Sequence, residues 1–174
     1  MSYQPKLQSI TDWWAIMGQI NGPEERAAGI VASAFLENYL AWALLSRMRS
    51  NLSSAGRKRL FDDGALVEFG SKIDLAHALH ILGDTARADM KRIAVIRNLF
   101  AHQMEISTFA HPEIAAECSK LAVPSRGEGP HGKAAVSLGP RIQFMDTVHE
   151  LASALSVQCT MPAHPSPAIP RLLY

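Results

Sequence analysis

This sequence has little of what marks several common classes of protein. Its two cysteines, Cys118 and Cys159, are 41 positions apart, which matches no zinc-ligand spacing, and two are too few for a disulfide framework. The formal net charge of the 174 residues is +1, so no general basic field attracts the chain to nucleic acid. Any contact with RNA or DNA must therefore come from a local patch.

The chain also lacks several signals for location and ligands. Its first residues contain no basic region followed by an apolar one, which predicts no signal peptide and a cytoplasmic location. It has no internal repeat, no glycine-rich phosphate loop and no helix-turn-helix with a basic recognition helix. His77 and His80 have an i, i+3 spacing, but no third ligand accompanies them. We therefore expect no metal site and no cofactor.

The residues that are present predict an all-α fold with long central helices. Hydrophobic residues make up 48% of the chain, which is typical of a folded globular protein, and they recur mostly at helical spacing. We expect one helical domain over residues 1–157 and a proline-rich, loosely ordered tail over residues 158–174. The predicted helices cover residues 6–20, 23–50, 71–82, 85–103, 112–121 and 141–157.

Two of the intervening segments have a distinctive composition. Residues 51–64 are basic and polar, which predicts a short helix or an ordered loop. Their run of Arg57, Lys58 and Arg59 is typical of a solvated surface, and it is also a candidate for contacts with a phosphate backbone. Residues 123–140 are rich in glycine and proline, which predicts a mobile loop.

The predicted helix 23–50 is the longest and most apolar, so we interpret it as the central core helix. Glu37 and Asn38 interrupt its apolar stretch, which argues against a membrane span. Buried polar groups need hydrogen-bond partners. One of these two side chains could face Arg97 or His102 on a neighbouring helix, or both could point to solvent, and the sequence leaves these alternatives open.

Residues 97–102, with the sequence RNLFAH, lie near the end of the predicted helix 85–103. Arg97 and His102 are roughly 140° apart around the helix axis, whereas Asn98 and His102 share a face, so the Asn98 amide could orient the imidazole. Arginine can bind a phosphate, and histidine can move a proton near neutral pH. A helix that is apolar on two sides is usually buried between neighbours or at a subunit interface. Here the first apolar stripe contains Met90, Ile93, Ile96 and Phe100, and the second contains Val95 and Leu99.

The pattern Arg-Asn-x-x-x-His at residues 97–102 is similar to the signature of the HEPN superfamily. The wider chain resembles one branch of that superfamily, the mannitol operon repressor (MltR-like) family, over roughly residues 24–122. A six-residue motif alone is weak evidence, but several segments in the same order are stronger. The resembling segments are ERAAGIV at 25–31, FGSKIDLAHAL at 69–79, RNLFAH at 97–102 and FAHPEI at 109–114.

The resemblance implies a HEPN-like helical bundle and metal-independent endoribonuclease activity, as in toxin or defence proteins, at a site formed across a homodimer. In that site His102 would transfer protons, Arg97 would bind the scissile phosphate, and Asn98 would orient His102 or contact phosphate. Arg26 and Glu37 are further candidates for substrate binding. RNA would be the substrate, and a protein partner such as an antitoxin could keep the protein silent.

The MltR-like resemblance also supports a second hypothesis, a non-catalytic transcriptional regulator. Because the sequence has no basic recognition helix, such a regulator would act through a protein partner such as a transcription factor. Arg97 and His102 would then connect helices or the subunits of a dimer. A third interpretation is that both residues only complement the negative end of a helix dipole.

Overall fold

The computed structural model describes residues 24–48 and 52–160, so the predicted helix 6–20 and most of the predicted tail lie outside the described residues. Over the described residues the chain forms eight α-helices and no β-strand, which confirms the all-α prediction. The helices are α1 (Glu25–Arg47), α2 (Ser54–Phe61), α3 (Phe69–Ala78), α4 (Asp84–His102), α5 (Pro112–Cys118), α6 (Ala122–Arg126), α7 (Ala135–Leu138) and α8 (Pro140–Thr160).

Most of the predicted helices are confirmed, with different ends. Helix α4 lies within one residue of its prediction at both ends, and segment 51–64 contains the short helix α2. Helix α3 begins two residues earlier than predicted because Glu68 precedes its first turn in an extended conformation. It also ends earlier, at Ala78, and His80 then adopts a positive φ of 57°, which cannot continue a helix.

The prediction of a mobile loop at residues 123–140 is wrong. This segment contains most of α6, a 3-10 turn at Gly132–Ala134 and α7. Its glycines supply tight turns: Gly127 ends α6 with a φ of 73°, and Gly129 follows with a φ of 86°. Hydrogen bonds to buried carboxylates of α4 and α8 then hold the segment in place, and composition could not predict those distant contacts.

Helix α1 lies at the centre of the bundle and packs against α3, α4 and α8. It runs parallel to α8, because Glu25 lies 3.7 Å from Arg141 near the start of both helices and Arg47 donates to Gln158 at 2.6 Å near their ends. By length and composition alone α1 is apolar enough to cross a membrane. Most of its apolar residues are buried inside the bundle, as in the core helix of a globular protein.

Three aromatic rings hold the end of α4 against the start of α1. The ring of Phe109 contacts Phe100 and Phe144, with ring centroids 5.0 and 5.1 Å apart. Gly29 of α1 lies against this cluster, and a Cβ atom at that position would be 2.7 Å from the Phe100 ring. The glycine therefore permits the close approach that fixes the last turns of α4, where residues 97–102 lie.

Candidate functional site

The side chains of Arg97, Asn98 and His102 lie at the surface of the last turns of α4. Arg97 is half-buried, whereas Asn98 and His102 are exposed. The buried face of the same helix end is apolar, and Ile96 and Phe100 are fully buried. The bundle thus uses one face of the helix for packing and leaves the three polar side chains accessible.

These three side chains make few contacts with the rest of the described chain. Nη1 of Arg97 donates to Oδ1 of Asn98 at 3.2 Å. The imidazole of His102 forms no hydrogen bond with residues 24–48 or 52–160, so the predicted orientation of His102 by Asn98 is not formed here. Instead, Asn98 accepts a hydrogen bond from the guanidinium of Arg97, and the side chain of His102 is exposed.

Arg26 comes to the same end of the bundle from the first turn of α1. Its Nη1 donates to the carbonyl oxygen of Met104 at 3.2 Å, and its Nη2 lies 3.6 Å from the Met104 sulfur. Met104 is two residues beyond His102, and two residues span at most about 7 Å. The contact therefore places the guanidinium of Arg26 beside the turn that follows His102.

The turn that follows α4 is tied to α1 by a carboxylate. Oε2 of Glu25 accepts a hydrogen bond from the backbone N–H of Phe109 at 2.7 Å, and Ile106 in the same turn is fully buried. Glu25 also lies 3.7 Å from Arg141, so its negative charge is partly balanced. These contacts fix the backbone that carries Met104 and leave Arg26 beside it.

Glu37 does not contact Arg97 or His102. Its carboxylate accepts a 2.5 Å hydrogen bond from Nζ of Lys72, a buried side chain of α3 that also donates to the Val67 carbonyl. The salt bridge joins α1 to α3, so its evident role is structural. Asn38 is exposed, which agrees with the alternative that it points to solvent.

The basic run of Arg57, Lys58 and Arg59 lies on α2, which follows the last turn of α1, whereas Arg26 lies in the first turn. The 23 residues of α1 span roughly 34 Å. Lys58 forms an exposed ion pair with Asp63 at 3.1 Å, and Nε of Arg57 donates to the Leu52 carbonyl at 3.3 Å. The structure therefore groups Arg26, but not the basic run, with His102.

In the described part of the chain, the cysteines and the possible metal ligands form no further candidate site. Burial raises the pKa of Cys118 to about 12 and that of Cys159 to about 11, so both thiols stay protonated near neutral pH. No three histidine, cysteine or acidic side chains cluster there as a metal site would require. His77 instead contacts Asp84, with 2.8 Å between Nε2 and Oδ1.

Exposed apolar side chains flank the polar residues of the site. Val95, one turn before Asn98, is 45% exposed, and Met104 is 80% exposed. Leu99, the other member of the predicted second stripe, is half-buried. The prediction of burial on two sides therefore holds for one side only in the single chain. Sequence periodicity did not identify Met104, since its contact with Arg26 depends on the turn after α4.

Two guanidinium groups and an exposed imidazole thus lie at one end of the bundle. Groups of these kinds can bind a phosphate and transfer a proton. No protein-family model, curated protein or solved structure matches this chain.

Proposed function

We propose that this protein is a HEPN-type, metal-independent endoribonuclease, toxin or defence-like, with Arg97, Asn98 and His102 in its active site. One observation carries the proposal. All three side chains are accessible to solvent at the end of α4, and within the described residues their one hydrogen bond joins Arg97 to Asn98. Polar side chains that only stabilised the fold would bind partners in the protein, as Glu37 does.

RNA cleavage at this site would need proton transfer and stabilisation of the phosphate. A neutral His102 would accept the proton of a ribose 2′-hydroxyl as that oxygen attacks the adjacent phosphorus, and a protonated His102 would donate to the leaving 5′-oxygen. Arg97, oriented by Asn98, would bind the phosphate and stabilise the charge that develops in the transition state. Because the 2′-hydroxyl is an internal nucleophile, the mechanism requires no metal to generate one.

A homodimer would complete this site. Val95 and Met104 present apolar surface on either side of Asn98 and His102, and apolar surface around polar groups is typical of protein contacts. A second copy seated on this face would bring two Arg97–His102 sets together and exclude water from the phosphate. Exclusion of water strengthens the interaction between guanidinium and phosphate.

The same exposed apolar residues favour a second candidate, a mannitol-repressor-like regulator that acts through a protein partner. The basic run on α2 supports direct binding of nucleic acid only weakly, since Lys58 is paired with Asp63. In this alternative Arg97 and His102 would contact the partner protein, and the purified protein would not cleave RNA.

The test is cleavage of a mixed RNA pool by the purified protein in excess chelator. We expect the wild type to cleave and both Arg97→Ala and His102→Ala to lose cleavage while remaining folded. Lys91→Ala is the matched control: Lys91 is an exposed cation of the same helix, but it binds Asp74 at 2.8 Å. This control should cleave as the wild type does.

Two results would contradict the proposal. One is the absence of cleavage by the folded wild-type protein. The other is equal cleavage by the wild type, Arg97→Ala and His102→Ala, which would identify a contaminant or a different site. The first result, combined with loss of partner capture on His102→Ala, would favour the regulator.

A further inference from the structure

A second histidine, His131, is held by a buried carboxylate on the α7–α8 side of the bundle. Oδ1 of Asp146 lies 2.7 Å from Nδ1 of His131, and Oδ2 accepts the backbone N–H of the same residue at 3.0 Å. Asp146 is 2% exposed, whereas the His131 side chain is 44% exposed. A buried carboxylate thus binds Nδ1 and the backbone N–H of a histidine whose ring is partly exposed to solvent.

The turn before His131 passes close to the Asp146 side chain. Gly129 has a φ of 86°, and a Cβ atom there would lie 3.0 Å from Cβ of Asp146 and 3.2 Å from its Oδ2. Only glycine therefore fits between the turn and the carboxylate. Lys133 crosses over Gly127, where an added Cβ would be 2.6 Å from its Cγ atom. Lys133 lies two residues after His131 in the chain, and its ammonium group forms no ion pair within the described residues.

The contact with Asp146 determines which ring nitrogen can react. A buried carboxylate accepts hydrogen bonds, so Nδ1 carries the proton and the lone pair is on Nε2. Nε2 forms no hydrogen bond with a described residue. A carboxylate behind an imidazole fixes the tautomer and stabilises positive charge on the ring, as in catalytic triads and metal-bound histidines.

We propose that His131 is a nucleophilic histidine that accepts a phosphoryl group on Nε2. The exposed Nε2 suits a donor that approaches from solution, such as an acyl phosphate or a phosphoramidate. Lys133, two positions after His131 and without an ion pair among the described residues, supplies positive charge that favours a phosphate dianion. This role is independent of RNA cleavage at His102.

The transfer balances without another reactant. The Nε2 lone pair forms the N–P bond while the bond from phosphorus to the leaving group breaks, and the leaving group keeps the electron pair. An acyl phosphate thereby releases a carboxylate, and a phosphoramidate releases ammonia after it takes a proton from water. The proton on Nδ1 stays in place, and the Asp146 carboxylate balances the positive charge that develops on the ring.

Phosphoramidate tests the proposal, since it is a small donor that needs no binding site of its own. The full-length protein would be treated at mildly alkaline pH, and each histidine would be followed by peptide mass spectrometry. We expect His131 to be phosphorylated about tenfold faster than His80 and His102, because the carboxylate on Nδ1 makes its ring more basic. Asp146→Asn should reduce the rate at His131 to that of His80.

Two further readouts keep the test decisive if Asp146→Asn does not fold. Nitrogen-15 NMR of the wild type should report the Nδ1–H tautomer of His131 before treatment and Nε2-phosphohistidine after it. His102→Ala should leave both results unchanged, which separates this site from the proposed nuclease. The proposal is overturned by phosphorylation of His131 no faster than His80, by the Nε2–H tautomer, or by the Nδ1-phosphorylated product.

Discussion

The two halves of α4 differ in whether their polar side chains have partners within the described part of the protein. In the first half every charged side chain has a partner within the protein: Asp84 contacts His77, Arg87 and Lys91 bind Asp74, and Asp89 and Arg92 lie 3.7 Å apart. In the second half, among the described residues, Arg97 and Asn98 hydrogen-bond only with each other, and His102 forms no hydrogen bond or ion pair. One helix thus contains a segment whose charged side chains are paired and a segment whose polar side chains have few hydrogen bonds within the described part of the chain.

The difference indicates that the first half of α4 stabilises the fold and that the second half is the candidate binding segment. Asp89 is 1% exposed and accepts the N–H of Ala122 with both carboxylate oxygens, at 3.0 and 3.1 Å, so it anchors the start of α6. His102 forms no comparable hydrogen bond with residues 24–48 or 52–160. Substitutions in the first half should therefore change stability, and substitutions in the second half should change activity.

The largest effect is expected for His102→Ala measured by two readouts. Loss of the general acid–base group should lower RNA cleavage by about a hundredfold or more. The thermal midpoint should stay close to that of the wild type, because an exposed imidazole without partners contributes little to the fold. A large drop in the midpoint would mean that His102 is structural, and the contrast between the two halves would fail.

Asp89→Ala should have the opposite profile. Removal of the carboxylate leaves the half-buried N–H of Ala122 without this acceptor, which costs about 2 kcal/mol of unfolding free energy. Urea denaturation measures this cost, and cleavage per folded molecule should be unchanged. Asp84→Ala is the control from the same helix, since the Asp84 side chain is 98% exposed. If both variants had the same midpoint, the anchoring role of Asp89 would be refuted.

Val95→Asp tests whether the exposed face of the second half binds a second copy. A charge in an apolar interface must be desolvated, so the dimer should weaken by about tenfold or more while the monomer stays folded. Sedimentation equilibrium measures the association, and cleavage should fall in parallel at low protein concentration. Val67→Asp, at another exposed valine, should change neither. Unaltered association of the Val95 variant would exclude this face from the interface.

The smallest effect concerns two carboxyl groups with opposite shifts. Burial raises the pKa of Asp89 above its ordinary value near 3.8, although backbone N–H groups oppose the shift. Hydrogen bonds from Lys91 and then Arg87 lower the pKa of Asp74. The contribution of Asp89 to stability is therefore greatest below pH 3.8 and falls as the pH rises through its folded pKa, whereas that of Asp74 is lost as the pH falls.

Carbon-13 NMR titration of the carboxyl groups checks these directions. Asp89 should titrate above the unfolded value and Asp74 below it. Titration of both on the same side would show that the environments of the two groups do not differ as their contacts imply.

Sequence patterns predicted α4 within one residue at each end because its apolar stripe has a strong helical period. They also identified Arg97 and His102, at its end, as candidate site residues. Local patterns failed where distant residues decide the outcome. The partner of Glu37 is Lys72, 35 positions later, and periodicity does not specify which neighbouring helix a polar side chain meets.

The prediction of a mobile loop at residues 123–140 was wrong for a related reason. Glycine and proline composition indicates turns, but it does not distinguish a mobile loop from ordered turns held by buried carboxylates. The ordering contacts come from Asp89 and Asp146, which lie on helices before and after the segment. The spacing of Gly127, Gly129 and Gly132, together with an acid on the mostly apolar face of α8, was the available signal.

The most direct test of the central claim is an NMR titration with an RNA oligonucleotide that carries 2′-O-methyl groups and cannot be cleaved. We predict that shift changes concentrate at Arg26, Arg97, Asn98 and His102, and that Asp84–Arg92 remain unperturbed. Changes confined to the basic run of α2, or no changes at millimolar RNA, would contradict the claim that the second half of α4 forms the binding site.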